Sequence, residues 1–357
     1  MKIIIFAGGV GTRLWPLSRQ NSPKQFDKIF NGQSTIELAV ERVAPVFGLA
    51  NIYIQTTANF KSVIKKQIKK LPSKNIITEP SRKNNGPAVC LGLQKLKQTG
   101  YSGPVAIIWA DHLMEKVEEF QNNLKTAEQL INDNPNRFIF LAEHPRFANN
   151  NLGWIHISNK IGEIDNVNYY KFSGWQYKPE QTECDKMFKS GDYFWNPGYF
   201  ISSLDFLLQE YQKLAPEIFN CTKQTISSKS KAKKKINYDK CPKESFDNCL
   251  IAKTDLQDAI VLKTNLGWSD PGTLYALKEA LAQSQDDNIT AGQVYNLDSK
   301  DCLVYNLEKK KLITTIGLNG MVIVNTPDAI IIAPKDKVKQ ITELTEKLKA
   351  EGLAKYL

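Results

Sequence analysis

The sequence predicts an α/β protein: a doubly wound, mostly parallel sheet followed by a small C-terminal β-rich domain. Three observations carry that reading. Apolar runs alternate with helical patterns over residues 2–142, a glycine loop follows the first run directly, and residues 288–333 turn strand-rich.

Residues 2–6, 51–56, 75–78, 104–110 and 137–142 are near-continuous apolar runs, as parallel strands covered on both faces require. Between them, Ser34-Thr35-Ile36-Glu37 is a capping box that opens a helix to about Val46. Residues 59–70, 86–98 and 117–132 carry apolar positions near helical spacing. The middle, 150–285, mixes helical stretches near 203–235 and 272–283 with isolated strands such as 258–264. After the polar stretch 283–288 come the short strands of the tail, spaced as in a few coils of a β-solenoid. Val338, Ile341, Leu344 and Leu348 then share one face of a final helix. The expected domains are 1–286 and 287–357.

A chain of 357 residues has the length of about two domains. Its 42% apolar and 24% charged residues exclude a collagen, a disordered tail and a small disulfide scaffold. No apolar run is long enough to cross a membrane, and the N-terminal run lacks the cleavage site of a secretory signal, so a cytoplasmic protein with no membrane partner is expected. The net charge of +10 suits anionic partners without selecting one. The lysine run at 227–237 has no interleaved aromatics and reads as a solvated helix face, so no nucleic-acid partner is expected. Cys90, Cys184, Cys221, Cys241, Cys249 and Cys302 form no CxxC pair, which points to reduced thiols rather than zinc.

Gly8, Gly9 and Gly11 follow the first strand, where backbone N–H groups can turn inward around a phosphate. Thr12 and Arg13 stand where a Walker loop needs Lys-Ser/Thr, and Leu14 where a dinucleotide fingerprint needs glycine, so both of those loops are excluded. Arg13 and Lys24 supply charge for a polyphosphate. Asp111 follows the apolar run 104–110, and Asp270 sits in a distant Gly/Trp/Ser/Pro/Gly turn. Two such carboxylates can hold Mg2+ while leaving positions for phosphate oxygens; the plainer alternatives are a helix cap and a turn residue. Glu79, after the run 75–78, can accept both donors on the guanine edge, or be an ordinary loop glutamate.

The stretch FAGGVGTRLWPLSRQNSPKQF (6–26) resembles the signature of sugar-nucleotide pyrophosphorylases, and its LWPLSR and PKQF resemble the mannose-1-phosphate guanylyltransferase family. EPSRKNNGPA (79–88), WADH (109–112), SGDYFWNPGYF (190–200) and GWSDPG (267–272) are similar to that family's base, metal, sugar and second metal segments, in order. The resemblance implies a Rossmann-like nucleotidyltransferase domain with a C-terminal left-handed β-helix-like domain, and a homodimer. The implied reaction is GTP plus mannose 1-phosphate giving GDP-mannose and pyrophosphate, with Mg2+ on Asp111 and Asp270. Arg13, Lys24, Asp111 and Asp270 would be catalytic. Gly8, Gly9, Gly11, Thr12, Glu79, Asn85 and Gly86 would bind the nucleotide, and Gly153, Tyr177, Lys178, Asn196 and Gly198 the sugar phosphate. Some relatives add a phosphomannose isomerase domain; with the sequence ending at Leu357, no isomerase activity is expected. Tyr177 stands where the family has glutamate, and Ala252 replaces another acid. These departures keep open a different hexose or nucleotide, or a catalytically weak regulatory homologue.

Overall fold

Ile3, Ile4 and Ile5 are fully buried, because strand β1 (Lys2–Phe6) runs through the interior of a ten-stranded sheet. The computed structural model describes residues 1–9, 11–19, 23–28 and 32–357. From β1 the chain runs through α1 (Thr35–Phe47), β2 (Ile52–Thr57), α2 (Lys61–Gln67), β3 (Ile76–Glu79), α3 (Asn85–Lys97), β4 (Pro104–Trp109), α4 (Val117–Asp133) and β5 (Ile139–Glu143). It continues as β6 (Gly153–Ile164), β7 (Val167–Tyr177), α5 (Gln181–Ser190), β8 (Tyr193–Asn196), β9 (Phe200–Ser203), α6 (Leu204–Leu214), α7 (Pro216–Ser227), α8 (Lys231–Asp239), β10 (Ile260–Thr264) and α9 (Leu274–Leu281). The sheet order is β10-β7-β6-β8-β5-β9-β4-β1-β2-β3.

The doubly wound half is as expected: β3, β2, β1 and β4 are parallel, joined by crossover helices. Beyond β4 the sheet is mixed. β9 runs antiparallel to β4 and β5, and the β6–β7 hairpin lies antiparallel to β8 and β10. That hairpin turns at Asp165 and Asn166, both at positive φ, as a tight primed turn requires. The expected helical stretch near 203–235 is three helices. Ser203 caps the first, Pro216 begins the second, and Ser230 Oγ accepts Lys233 N at 3.2 Å to start the third. Near α1, the capping box is formed: Ser34 N donates to Glu37 Oε2 at 2.8 Å, and Glu37 N to Ser34 Oγ at 3.4 Å.

Packing groups the chain into two units. The first is Met1–Gly8, Ala39–Ala110 and Met114–Trp268; the second is Gly9–Leu38, Asp111–Leu113 and Ser269–Leu357. Within the second unit, Leu14, Trp15 and Leu17 pack with Leu274, Leu303, Val324 and Ile341. Trp15 Nε1 also donates to Tyr356 O at 2.7 Å. In the first unit, α3 and α6 cover the sheet face carrying Ile4, Phe6, Tyr53 and Ile77.

The tail of the second unit comprises β11 (Ile289–Ala291), β12 (Val294–Leu297), β13 (Leu303–Asn306), β14 (Ile313–Ile316), β15 (Met321–Asn325), β16 (Ile330–Pro334) and α10 (Ile341–Ala350). β11, β13 and β15 stack in parallel, as do β12 and β14, the arrangement of successive coils. Asn325 Nδ2 donates to Asn306 Oδ1 at 2.9 Å, an asparagine stacked on its counterpart one coil away. Lys278, Asp301 and Lys335 form a charge cluster: both ammonium groups lie 2.6 Å from the Asp301 carboxylate.

One expectation about the cysteines is corrected. Cys221 and Cys241 are joined in a disulfide, while Cys90, Cys184, Cys249 and Cys302 are free and buried. The partners stand 20 residues apart with α8 between them, so only the folded hairpin of α7 and α8 brings them together. Among the described residues, no helix is long and apolar enough to cross a membrane.

Candidate functional site

In the second unit, the loop after β1 is tied together by its own polar groups. Gln25 Nε2 donates to Gly9 O at 2.7 Å, while Leu14 N, at 3.0 Å, and Ser18 Oγ both donate to Gly11 O. Gly11 has φ +61, and a Cβ there would stand 3.1 Å from Lys24 Cγ. Glycine therefore lets the loop close onto the lysine stem. Thr12 opens a 3-10 turn with Arg13 and Leu14; its side chain, expected to meet the nucleotide, lies outside the described residues. Pro23 leads into a second 3-10 turn, Lys24–Phe26, in which Lys24 is buried.

Two segments meet at that lysine. Leu113 N donates to Ser269 O at 3.0 Å and Ser269 N to Leu113 O at 3.1 Å, which clamps the Asp111 segment to the Asp270 turn. Lys24 Nζ then lies 2.9 Å from Asp111 Oδ2, 3.5 Å from Asp270 Oδ1 and 3.5 Å from Pro271 O. Burial works against the ammonium, but the Asp111 and Asp270 charges outweigh it and raise the Lys24 pKa. Burial likewise opposes the Asp111 charge, yet Lys24 and His112 hold that carboxyl well below the usual range. Arg13 is exposed, and its Nη2 lies 3.2 Å from where a Gly272 Cβ would be. The four expected catalytic side chains are therefore gathered at one centre.

The same centre suits a divalent cation. Asp270 Oδ1 is buried without a hydrogen-bond partner, and Asp111 offers a second hard oxygen beside it. No cluster of three or more His, Cys, Asp or Glu occurs among the described residues, so Asp111 and Asp270 are the two carboxylates here that could hold a cation.

The first unit holds the remaining expected residues. Glu79 ends β3 and is buried; Tyr238 OH donates to its Oε2 at 3.2 Å, and Oε1 faces Gly8 at 3.8 Å from a would-be Cβ. Burial pushes the Glu79 carboxyl up to about 7, against the pull of hydrogen bonds from Gln55 and Tyr238. Asn85 opens α3, but its Oδ1 accepts Phe246 N at 2.8 Å, and Gly86 N donates to Glu244 O at 3.0 Å. Both are engaged in holding the 244–246 segment. Tyr177, Gly153 and Asn196 lie in one row across β7, β6 and β8. Tyr177 is 64% exposed, and Lys178, at φ +48, places its Nζ 5.2 Å from that ring. Asn196 Oδ1 accepts Gly198 N at 2.8 Å, and Trp109 Nε1 donates to Gly198 O at 2.8 Å. The row thus lies beside the carboxyl end of β4.

Sequence reasoning missed two supporting residues. Glu143, fully buried at the end of β5, accepts Thr264 Oγ1 at 2.8 Å, Leu266 N at 3.0 Å and Trp268 N at 3.1 Å, fixing the strand exit that leads to Asp270. A lone acid closing the apolar run 137–142 was the signal available. Tyr238 carried none, since it sits at the end of the lysine run.

A family model described as nucleotidyl transferase matches residues 2–287, and one described as MannoseP isomerase/GMP-like beta-helix domain matches 292–348. The chain is 27% identical over 366 residues to mannose-1-phosphate guanylyltransferase 2 of Escherichia coli O157:H7, covering 99% of this chain and 74% of that protein. It is 28% identical over 358 residues to mannose-1-phosphate guanylyltransferase of Salmonella muenchen, covering 98% and 73%. A solved structure described as mannose-1-phosphate geranyltransferase from Thermus thermophilus superposes with a TM-score of 0.87 at 24% identity, covering 98% of this chain and 99% of that one.

Proposed function

The chain belongs to the nucleotidyl transferase family, and from that premise we propose that it transfers GMP from GTP to mannose 1-phosphate, giving GDP-mannose and pyrophosphate. The observation that carries the proposal is Lys24 held between Asp111 and Asp270. The names of relatives that match nearly the whole of this chain support the choice of sugar and base.

In this reading, a sugar-phosphate oxygen attacks the α-phosphorus of GTP. The new P–O bond forms as the bond to the bridging oxygen breaks, and its electron pair leaves with pyrophosphate. Both reactants are anions, so the protein must chiefly align them and offset charge. Arg13 and Lys24 hold the departing pyrophosphate, and the raised pKa of Lys24 keeps it charged near neutrality. The nucleophile is already an anion, so no side chain need remove a proton. Asp111 and Asp270 would hold Mg2+, which when bound supplies charge neutralisation at the α-phosphate and the sugar phosphate. Glu79 reads the guanine edge. Asn85 and Gly86 shape the start of α3, while Gly8, Gly9, Gly11 and Thr12 form the phosphate loop. Gly153, Asn196, Gly198 and Lys178 receive the sugar phosphate. Tyr177 offers one hydroxyl where the family has a carboxylate, which favours as second reading a catalytically weak homologue or another hexose.

Residues 1–286 would form the transferase domain and 287–357 a β-helix-like one. Tyr295, Ile316, Ile330 and Ile332 are each at least 60% exposed on the latter, which supports a homodimer. We also read the protein as cytoplasmic, although the Cys221–Cys241 bond removes the thiol argument for that compartment.

A pyrophosphate-release screen over four nucleoside triphosphates and several hexose 1-phosphates, with and without Mg2+, tests the proposal. Release only with GTP, mannose 1-phosphate and Mg2+ supports it. Release with another pair, or none, replaces it with the second reading.

A further inference from the structure

β3 is the outer strand of the ten-stranded sheet, and a cavity of about 590 Å³ lies along it in the first unit. Its apolar floor includes Tyr53, Ile77, Leu91 and Ile226. Six lysines surround that floor: Lys61, Lys74, Lys95, Lys231, Lys234 and Lys235. They come from α2, the loop before β3, α3 and α8, so folding collects them from four separate places. Among the described residues, Glu79 is the sole acid in the lining.

The charges are poorly balanced. Among the described residues, Lys235 is the one of the six with an ion-pair partner, Asp239 at 2.6 Å. Burial, and then the nearby Lys234 charge, lower the Lys95 pKa. Like charges gathered against a low-dielectric wall are costly unless an anion offsets them. The hairpin that carries half of these lysines is firmly seated: the disulfide joins Cys221 in α7 to Cys241 just beyond α8, and Ser81 Oγ donates to Asp239 Oδ1 at 2.5 Å.

We propose that this cavity binds a nucleoside di- or triphosphate, its base on the Tyr53–Ile77–Leu91 floor and its phosphates among the lysines. The volume is in the range of small-molecule sites. The apolar half of the lining favours an organic anion over inorganic phosphate. The cavity has one exposed wall in α8 whose outer lysine, Lys233, is not part of the lining, which disfavours a long polyanion. Apart from Glu79, no residue here belongs to the proposed transferase site.

The test is lysine acetylation of the full-length protein in EDTA, read peptide by peptide by mass spectrometry, with ATP as the probe. ATP is chosen because the proposed transferase site selects guanine, and the readout requires no turnover, so failure here leaves the transferase reading untouched. At a concentration about ten times its Kd, ATP should slow labelling of Lys95, Lys231 and Lys234 by about tenfold. Exposed Lys160 and Lys349 should be unaffected. The K95E/K234E variant should lose the protection at Lys231 while keeping wild-type turnover with its own substrates. Absent protection overturns the proposal, and so does equal protection by tripolyphosphate, which would mean an adventitious ion only. Stronger protection by a single-stranded oligonucleotide that extends to Lys229 and Lys233 overturns it as well.

Discussion

Lys24 Nζ stands 2.9 Å from Asp111 Oδ2 and, on its other side, 3.5 Å from Asp270 Oδ1. The ammonium thus occupies the place that an incoming cation would share between the same carboxylates. A divalent cation would be held by Asp111 and Asp270, and the Lys24 ammonium offsets the same two charges.

Removing Asp111's charge should therefore harm chemistry more than binding. In Asp111→Asn, kcat is expected to fall by about 100- to 1,000-fold, with nucleotide Kd changed by less than about tenfold. Near-normal kcat would take Asp111 out of the cation's reach. In Lys24→Met, the two carboxylates lose their counter-ion, and stability in EDTA should drop by about 1–2 kcal/mol. That figure is discounted because the carboxylate side chains keep 36% and 34% of their surface in water. Millimolar Mg2+ should recover part of the loss in a thermal melt; an equal deficit with and without the ion would contradict the shared position.

Glu79 gives a pH dependence. Its folded pKa of about 7 lies above the ordinary value of 4.5, so the folded state holds the extra proton in between. Its contribution to stability is complete below about 4.5 and is lost as pH rises through 7. The stability difference between wild type and Glu79→Gln should therefore move against wild type by roughly 3 kcal/mol between pH 4.5 and 8. Denaturant titrations at both ends measure it, and a flat difference would show that Glu79 ionises normally. The variant should also discriminate GTP from ATP by about tenfold less in kcat/KM.

Glu143 accepts three hydrogen bonds from the chain segment that leads to Asp270. Glu143→Ala removes all three of these hydrogen bonds from a buried segment, and is expected to cost about 2–4 kcal/mol in chemical denaturation. A loss below about 0.5 kcal/mol would mean that water replaces the carboxylate.

Gly198 sits at φ +73, and a Cβ there would come within 2.9 Å of Trp109 Nε1. Gly198→Ala should break the Trp109–Gly198 hydrogen bond and shift the Asn196 loop. The expected signature is a raised KM for the sugar phosphate with the KM for GTP nearly unchanged. Equal rises in both would assign the loop a general structural role instead.

The parallel half of the fold was readable because β1 and β4 are buried on both faces and so spell unbroken apolar runs. Asp111 was readable for the same reason, as the first acid beyond such a run. The β6–β7 hairpin was not: its outer half is mostly exposed or half-buried, so neither alternation nor a continuous run marks it. Lys24 was found through its motif, whereas its position between two carboxylates depends on the Leu113–Ser269 pairing, across more than 150 residues. The cavity lysines scatter over four elements and leave no local pattern; part of that set looked like a solvated helix face.

The covalent link between Cys221 and Cys241 makes the redox history of a sample a hidden variable. Closing a loop of this size removes about 3 kcal/mol of freedom from the unfolded chain, and that restraint acts on the helix whose Tyr238 touches Glu79. Material purified in dithiothreitol and material purified without it would then be two preparations, with different anchoring of the Glu79 carboxyl. Nucleotide affinities measured on them should not be pooled.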